Sequence, residues 1–242
     1  MLCGALACLS TLFGSNALAQ SGATLEGVGT VTHLSGTLTV RRSDGGTRFL
    51  SVKSGITEGD TLVTAQSTYA RLRFSDGSEI VLRPDSQIKV DQFKFNDSAP
   101  AGDNMLMSLL KGGMRSVTGL LGKRSRDRVA FVTPNATIGI RGTHFGALLC
   151  QGDCASIATP AGGPPPNGLH LDVLDGSIAV RNNAGQQILN AGQFGFVRNT
   201  ATPPRFSGHT PPSSSLIRAA PRFLTTALSS RAAPPTACSK RR

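Results

Sequence analysis

Residues 69–83 read YARLRFSDGSEIVLR, two short segments of alternating apolar and polar residues separated by a turn. In the first segment Ala70, Leu72 and Phe74 fall on one face, and the residues between them fall on the other. Alternation with a period of two indicates a strand that is buried on one face. The turn at 75–78 reads SDGS, which is typical of a tight reversal between strands. This stretch therefore predicts a β-hairpin.

The same alternation recurs between residues 28 and 198, and turn sequences interrupt it about every 8–12 residues. Repetition of this kind indicates an all-β fold, and we predict a sandwich or roll of short, mainly antiparallel strands. The segments 36–41 and 176–181 also resemble each other. Two copies indicate two hairpins of the same geometry rather than a repeat array, which needs at least three.

One segment has helical spacing instead. Asp103 is a candidate N-cap, and Gly112 followed by Gly113 would end a helix. Between them, the apolar residues at 105, 106, 109 and 110 follow the spacing of a short amphipathic helix. We therefore predict one short helix here, with a strand as the alternative.

The composition limits the class of protein. Of the 242 residues, 39% are hydrophobic and only 16% are charged. So few charges exclude a coiled coil, which needs many Glu and Lys residues at heptad spacing. No apolar run reaches about 18 residues, which excludes a helical membrane protein with several spans. The chain is long enough to form a core without a metal or a cofactor, and we predict neither.

The amino terminus carries the features of a targeting segment. Residues 1–19 read MLCGALACLSTLFGSNALA and contain no charged side chain. The apolar run at 2–14 has the length of a signal-peptide core, and the final ALA at 17–19 is a cleavage pattern. We predict a secretory signal peptide at 1–19 and an exported, periplasmic protein with no retained membrane helix. A buried helix and a lipoprotein signal ending at Cys8 are the alternatives.

Export would place the remaining cysteines in an oxidising compartment. Cys150 and Cys154 enclose Gln-Gly-Asp, a turn sequence, so we predict a disulfide bond between them. Free thiols and a metal site are the alternatives. The spacing differs from that of zinc and redox motifs, and four ligands at metal spacing are absent. Cys238 is then left over.

Positive charge is concentrated in two places. Residues 199–242 contain seven Lys or Arg residues, no Asp or Glu, and repeated Pro pairs, which predicts a disordered tail after a β domain at 20–198. Residues 111–128 contain six basic residues against Asp127. Either segment can contact an anionic envelope surface. We predict no nucleic-acid binding, because the basic residues are not interleaved with aromatic residues that stack on bases.

The order of the motifs resembles that of the FecR domain family, over roughly residues 28–198. The most specific stretch is the Thr-Pro of 133–134 followed by the Arg-Gly-Thr-x-Phe of 141–145. We interpret the residues that carry the resemblance as turns and strand ends, with a structural role. They are Gly59, Asp60, Asp76, Gly77, Ser78, Thr133, Pro134, Arg141, Gly142, Thr143, Phe145 and Gly176.

The resemblance implies an all-β periplasmic domain. In sensor members of the family, a cytoplasmic anti-sigma region and one membrane helix precede this domain, which receives a signal from an outer-membrane transporter. The predicted cleavable signal departs from that plan. The sequence is therefore more similar to exported proteins in which the FecR domain stands alone.

Enzymatic motifs are absent. The sequence contains no nucleophile elbow, zinc-protease motif, Walker A loop or dinucleotide fingerprint, and we interpret His144 as a surface histidine. We therefore predict a non-enzymatic module that interacts with an unknown protein partner or takes part in signalling. Two alternatives remain open: a binder of anionic envelope glycan or lipid, and a regulator in iron-uptake-type transmembrane signalling.

Overall fold

The computed structural model describes residues 27–157, 159 and 162–207. The predicted signal peptide and residues 208–242 of the predicted tail lie outside this part of the chain. The described residues form seventeen strands, one α-helix and two 3₁₀ helices. The strands are β1 (Gly29–Ser35), β2 (Leu38–Arg41), β3 (Thr47–Leu50), β4 (Gly55–Ile56), β5 (Thr61–Thr64), β6 (Tyr69–Phe74), β7 (Glu79–Leu82), β8 (Gln87–Lys94), β9 (Asn104–Val117), β10 (Val129–Val132), β11 (Thr137–Ile140), β12 (His144–Cys150), β13 (Gly168–Asp175), β14 (Ser177–Asn182), β15 (Gly185–Asn190), β16 (Phe194–Val197) and β17 (Arg205–Ser207). The helix α1 spans Leu120–Arg124, and the 3₁₀ helices span Pro100–Gly102 and Arg126–Arg128.

The hairpin predicted at residues 69–83 is present as β6 and β7. Arg73 pairs with Glu79, and Ala70 pairs with Leu82. The reversal between the strands places Gly77 at φ 79°, a left-handed conformation that glycine adopts without steric cost. The residues of β6 that were predicted to face the core are buried.

The strands form two sheets. In the first sheet the order is β4, β1, β6, β7, β9, β12, β13, β16, β17. In the second sheet the order is β3, β2, β5, β8, β9, β10, β11, β14, β15. All pairings in the described chain are antiparallel except that of β9 with β10.

Strand β9 belongs to both sheets. Its first half pairs with β8 and β10 in the second sheet, and its second half pairs with β7 and β12 in the first. The change of sheet occurs at Gly112, which has φ 73°. A Cβ atom there would lie 2.6 Å from the backbone oxygen of Asp85, so only glycine fits this bend.

The core lies between the two sheets. Phe74 of the first sheet stacks on Phe93 of the second, with ring centroids 5.3 Å apart. Phe131 of the second sheet meets Phe145 of the first edge to face, at 5.5 Å. Aromatic pairs at these separations contribute packing energy beyond simple burial. The all-β sandwich of mainly antiparallel strands is therefore confirmed.

The helix prediction for residues 103–110 is wrong, and the strand alternative is correct. Residues 104–117 form β9, in which Met105, Met107 and Leu109 alternate into the core. Asp103 is not an N-cap. Its buried carboxylate accepts hydrogen bonds from the backbone N–H of Asn96 and from the guanidinium of Arg124. The short α-helix of the described chain lies later, at Leu120–Arg124.

The similar segments 36–41 and 176–181 have equivalent places in the fold. Each contributes the first strand of a hairpin in the second sheet, β2–β3 and β14–β15. Gly36 and Gly176 precede these strands at φ 97° and 72°. The structure thus contains the two matching hairpins that the sequence indicates.

The domain continues beyond the predicted boundary at residue 198. Residues 205–207 form β17, which pairs with β16 at the edge of the first sheet. The side-chain amide of Asn182 also donates hydrogen bonds to the backbone oxygens of Asn199 and Thr202. The start of the predicted tail is thus part of the fold, and the boundary moves to Ser207 or later. Within the described residues, no helix has the length and apolar character needed to cross a membrane.

Candidate functional site

The Arg-Gly-Thr stretch lies where the chain changes sheet. Residues 141–143 lead the chain from β11 in the second sheet to β12 in the first. Gly176 leads it back from β13 in the first sheet to β14 in the second. The two crossings touch, because a Cβ atom on Gly176 would lie 2.2 Å from the backbone oxygen of Gly142. Thr143 ties them together: its hydroxyl donates to the backbone oxygen of Ser177 at 2.7 Å.

The acidic motif residues hold turns. The buried Asp60 carboxylate accepts the backbone N–H of Thr57 at 2.8 Å, next to Gly59 at φ 87°. The buried Asp76 carboxylate accepts both the backbone N–H and the hydroxyl of Ser78, at 2.9 and 2.6 Å. These bonds are internal to their turns.

The remaining motif residues also make internal contacts. The hydroxyl of Thr133 donates to the backbone oxygen of Ala136, across the bend that contains Pro134. Phe145 is fully buried against Phe131. Arg141 is the exception, because its side chain is exposed. The structural role of this set stays a prediction, which glycine variants test below.

The predicted cysteine pair is joined in the structure, with the sulfur atoms of Cys150 and Cys154 2.06 Å apart. The two cysteines pack with Leu148 and Ile157 in a small apolar cluster, apart from the main core. This cluster lies on the outer face of the first sheet, opposite the core residues Ala147 and Leu149. We refer to residues 150–157 as the disulfide loop.

A second contact covers the same outer face. The ring of His170 is buried, and its Nε2–H donates to the backbone oxygen of Pro166 at 2.8 Å. The ring also packs against Phe196, with centroids 4.8 Å apart. Burial lowers the pKa of His170, although the bond to Pro166 acts in the opposite direction. The His170 side chain thus holds the loop around Pro166 against the sheet.

His144 is not the surface histidine that the sequence indicates. It is half-buried, and its Nε2 atom is inaccessible and has no hydrogen-bond partner among the described residues. Burial lowers the pKa of His144, the charge of Arg115 lowers it further, and Asp175 raises it. The described residues contain no group of three or more His, Cys, Asp and Glu side chains that could hold a metal ion.

A shallow groove of about 280 Å³ crosses the outer face of the second sheet. Its floor is a row of small residues on adjacent strands, since Ala130 pairs with Gly139 and Gly139 pairs with Ala179. Their neighbours along the strands, such as Ile138 and Ile140, point into the core. The absence of large side chains leaves the backbone of β10, β11 and β14 open to a ligand.

Three arginines stand around this floor. Arg141 and Arg181 lie at opposite ends, because the residue opposite Arg181 on β11 is Thr137, four residues before Arg141. Four residues of strand span about 13 Å. Arg126 approaches from the segment before β10, and Asp127 is the one acidic residue that lines the groove. We call Arg126, Arg141 and Arg181 the arginine rim.

Strand β3 is an open edge of the second sheet. Among the described strands it pairs only with β2. Phe49 in this strand is 75% exposed, and the nearby Val52 is 47% exposed. An aromatic side chain so exposed on an edge strand is a feature of interaction surfaces.

Sequence reasoning found the basic segment that contains Arg126 and named Arg141 as a motif residue with a structural role, but it did not identify the rim. Arg141 and Arg181 are 40 residues apart in the chain, and the pairing of β11 with β14 brings them to opposite ends of one groove. Phe49 was also missed, since a four-residue strand does not reveal which of its faces is covered.

Residues 60–163 match the family model described as "FecR protein". Over this segment the chain is similar to FecR proteins. The resemblance seen in the sequence is therefore confirmed over these residues, which contain β5 to β12 and the disulfide loop. The two hairpins with matching sequences lie outside the FecR match.

Solved structures overlap parts of the chain. Two crystal structures of a putative anti-sigma factor from Parabacteroides distasonis ATCC 8503 match 61% of this chain and 58% of their own length. They have 15% and 13% sequence identity and TM-scores of 0.43 and 0.44. A cell surface anchoring domain matches 26% of this chain and 83% of its own length, with 32% identity and a TM-score of 0.26. No curated protein matches in sequence. Likeness at this level concerns parts of the fold, so no function is carried over from these proteins.

Proposed function

We propose that this FecR-domain chain is an exported, non-enzymatic interaction module with a role in signalling, which binds a protein partner through the edge strand β3. The observation that carries the proposal is the exposure of Phe49 on an edge that pairs on one side only. Burying this side chain against a partner would remove a large apolar surface from water.

The backbone of β3 is free to pair with another strand. The N–H of Arg42 donates to the oxygen of Gly46, so residues 42 and 46 form a hydrogen-bonded pair. Such pairs alternate along an antiparallel hairpin, which places the N–H and C=O groups of Thr47 and Phe49 on the side away from β2. An extended segment of a partner can bond to these groups and extend the second sheet.

The charge around this edge defines the partner further. Arg48 is exposed beside Phe49, and Lys53 follows β3. Neither forms an ion pair among the described residues. The partner strand that fits this edge has an apolar residue opposite Phe49 and an Asp or Glu opposite Arg48. Opposite charges across a strand pair are favourable.

A photo-crosslinking amino acid at position 49 tests the proposal, with position 206 as the matched control. Phe206 is 50% exposed and lies on β17, an edge strand of the other sheet. The protein that crosslinks at position 49 is then purified and its binding measured. We expect Phe49→Ser to weaken binding about thirty-fold, as for a hot-spot residue worth about 2 kcal/mol. We expect Phe206→Ser to have little effect. Equal crosslinking at both positions, or unchanged affinity of Phe49→Ser, would overturn the proposal.

A second candidate function is binding to an anionic glycan or lipid of the cell envelope. The arginine rim supports it, since three exposed guanidinium groups surround an open floor. Arginine binds carboxylate and phosphate groups through two parallel hydrogen bonds. The predicted basic tail, which lies outside the described residues, would add a further attraction that weakens with salt.

Vesicles that contain phosphatidylglycerol test this candidate against neutral vesicles. We compare the triple variant Arg126→Gln, Arg141→Gln, Arg181→Gln with a control that replaces the exposed Arg41, Arg73 and Arg205 by Gln. Both remove the same charge. Weaker binding of the rim variant alone supports a site at the rim. Equal loss in both indicates attraction by net charge, and no binding by the unaltered chain excludes this candidate.

A further inference from the structure

A cavity of about 190 Å³ lies on the outer face of the first sheet, between the turn after β7 and the disulfide loop. A volume of this size equals that of about six water molecules. The FecR motif residues and the arginine rim take no part in it. The residues of its lining that matter here are Arg83, Asp85, Leu148, Asp153, Cys154 and Ile157.

Arg83 is held in place at the base of this cavity. Its backbone N–H donates to the oxygen of Gly113, and its side-chain stem lies over that glycine beside Leu148. A Cβ atom at position 113 would be 2.9 Å from Cδ of Arg83 and 3.1 Å from Cδ1 of Leu148. The glycine therefore leaves the space that the arginine stem occupies.

The guanidinium of Arg83 has no hydrogen-bond acceptor among the described residues. Within the described part of the chain, its side chain makes no hydrogen bond or ion pair, and its Nη1 atom is inaccessible to solvent without an acceptor. Burial lowers the pKa of Arg83, and the nearby Tyr69 acts in the opposite direction. The side chain is half-buried, but an inaccessible Nη1–H group without an acceptor is costly to stability, so a bound acceptor at this position is favourable.

The walls of the cavity limit what that acceptor can be. Leu148, Ile157 and the disulfide sulfur of Cys154 form an apolar side. The carboxylate of Asp153 also lines the cavity and is 3.7 Å from the ammonium of Lys111. Lys111 offsets the charge of Asp153 and Arg83 attracts one carboxylate, whereas Asp85 would repel a second negative charge in the ligand. A single carboxylate next to a short hydrocarbon group satisfies both sides.

We propose that this cavity binds a singly charged carboxylate that carries a short branched apolar group, with the carboxylate at Arg83 and the apolar group against Leu148 and Ile157. Two sources share this chemistry: a free short-chain organic acid, and the C-terminal carboxylate of a peptide that ends in a small apolar residue. The Cys150–Cys154 bond fixes the wall that closes over the apolar group. This site is independent of β3 and of the arginine rim.

Isothermal titration calorimetry of the full chain tests the site with two acids and their amides. The probes are isovalerate, isovaleramide, N-acetyl-Ala-Leu and N-acetyl-Ala-Leu-amide. We expect the acids to bind and each amide to bind at least tenfold more weakly. Tighter binding of the dipeptide assigns the site to a peptide C terminus, and tighter binding of isovalerate assigns it to a free acid. The proposal fails if neither acid binds or if acids and amides bind equally.

Variants locate the binding. Arg83→Met keeps the apolar stem and should weaken acid binding at least tenfold, whereas Arg73→Met removes an exposed guanidinium and should not. Ser156→Trp, an exposed position in the disulfide loop, should block the cavity without altering the core, and it serves if Arg83→Met does not fold. Reduction of the disulfide should weaken binding several-fold. Unchanged affinity in both Arg83→Met and Ser156→Trp would place any binding elsewhere and overturn the proposal.

Discussion

Replacing Gly176 by alanine should destabilise the domain more than replacing Gly142, although both glycines have φ close to 70°. A Cβ atom on Gly142 meets nothing within 4 Å, so Gly142→Ala has only the cost of a left-handed backbone, about 1–2 kcal/mol. A Cβ atom on Gly176 would lie 2.2 Å from the oxygen of Gly142. That clash is with backbone, and overpacking adds about 1–3 kcal/mol. We therefore expect about 2–5 kcal/mol for Gly176→Ala.

Urea unfolding followed by circular dichroism measures this difference, since each kcal/mol also shifts the melting temperature by about 2–4 °C in a domain of this size. Gly77→Ala is a second control, because Gly77 has φ 79° and open space around its Cβ position. It should resemble Gly142→Ala. If Gly176→Ala were no less stable than the two controls, the contact between the sheet crossings would not support the fold. A structural role for this part of the FecR motif would then be refuted.

Three other outcomes are expected. Replacing Cys150 and Cys154 by Ser opens a loop of five residues. Loop-closure entropy for that length predicts that the free energy of unfolding falls by about 2 kcal/mol, which urea unfolding can measure. No loss would mean that the bond is strained or absent. Burial lowers the pKa of His170 below its ordinary value of 6.5, so as the pH falls the unfolded chain binds a proton at this residue before the folded chain does. The stability that is present above about pH 6.5 is therefore lost as the pH falls through the lower pKa of the folded state. His170→Gln should reduce the difference in unfolding free energy between about pH 7.5 and about pH 5, and an unchanged difference would contradict this account. A chain that ends at residue 207 should keep the melting temperature of the full chain, whereas one that ends at 198 loses β17 and should melt lower; equal melting would mean that β17 adds nothing.

The hairpin of β6 and β7 was predictable because its information is local. Period-two alternation and a turn sequence lie within 15 consecutive residues, and pairing of the two strands follows from the turn. The matching hairpins at residues 36–41 and 176–181 were predictable for the same reason. The contacts of the buried motif residue Asp76 are also local, since its carboxylate bonds to Ser78, two residues further along the chain.

Strand β9 was missed because its sequence fits two periods. Met105 and Leu109 are four residues apart and suit a helix, but they also suit a strand with Met107 between them. The choice is made by pairing with β8 and β10 and by the core contacts of alternate residues. Those partners lie elsewhere in the chain, so tertiary structure overrides local spacing.

The candidate sites depend on contacts of the same long-range kind. The arginine rim requires the register of β11 against β14, and the Arg83 cavity requires the disulfide loop to lie over a turn some 70 residues earlier in the chain. A one-residue slip of β14 against β11 would move the side chain of Arg181 to the opposite face of the sheet. Charge counts along the sequence identify basic segments, but they do not show which arginines line the same groove.

The double membership of β9 has a consequence for the order in which the chain becomes structured during synthesis. Strands β7 and β8 lie in different sheets, and each needs a different half of the same fourteen-residue segment as its neighbour. Until Val117 is free to fold, the amino-terminal part of the chain has two unfinished edges, one in each sheet, and both expose backbone groups that can pair with other molecules. Arrival of Asn104–Val117 closes both edges at once and also provides the edges on which β10 and β12 assemble. One strand thus covers the edges of both β7 and β8, and exposes in their place the edges that β10 and β12 later cover.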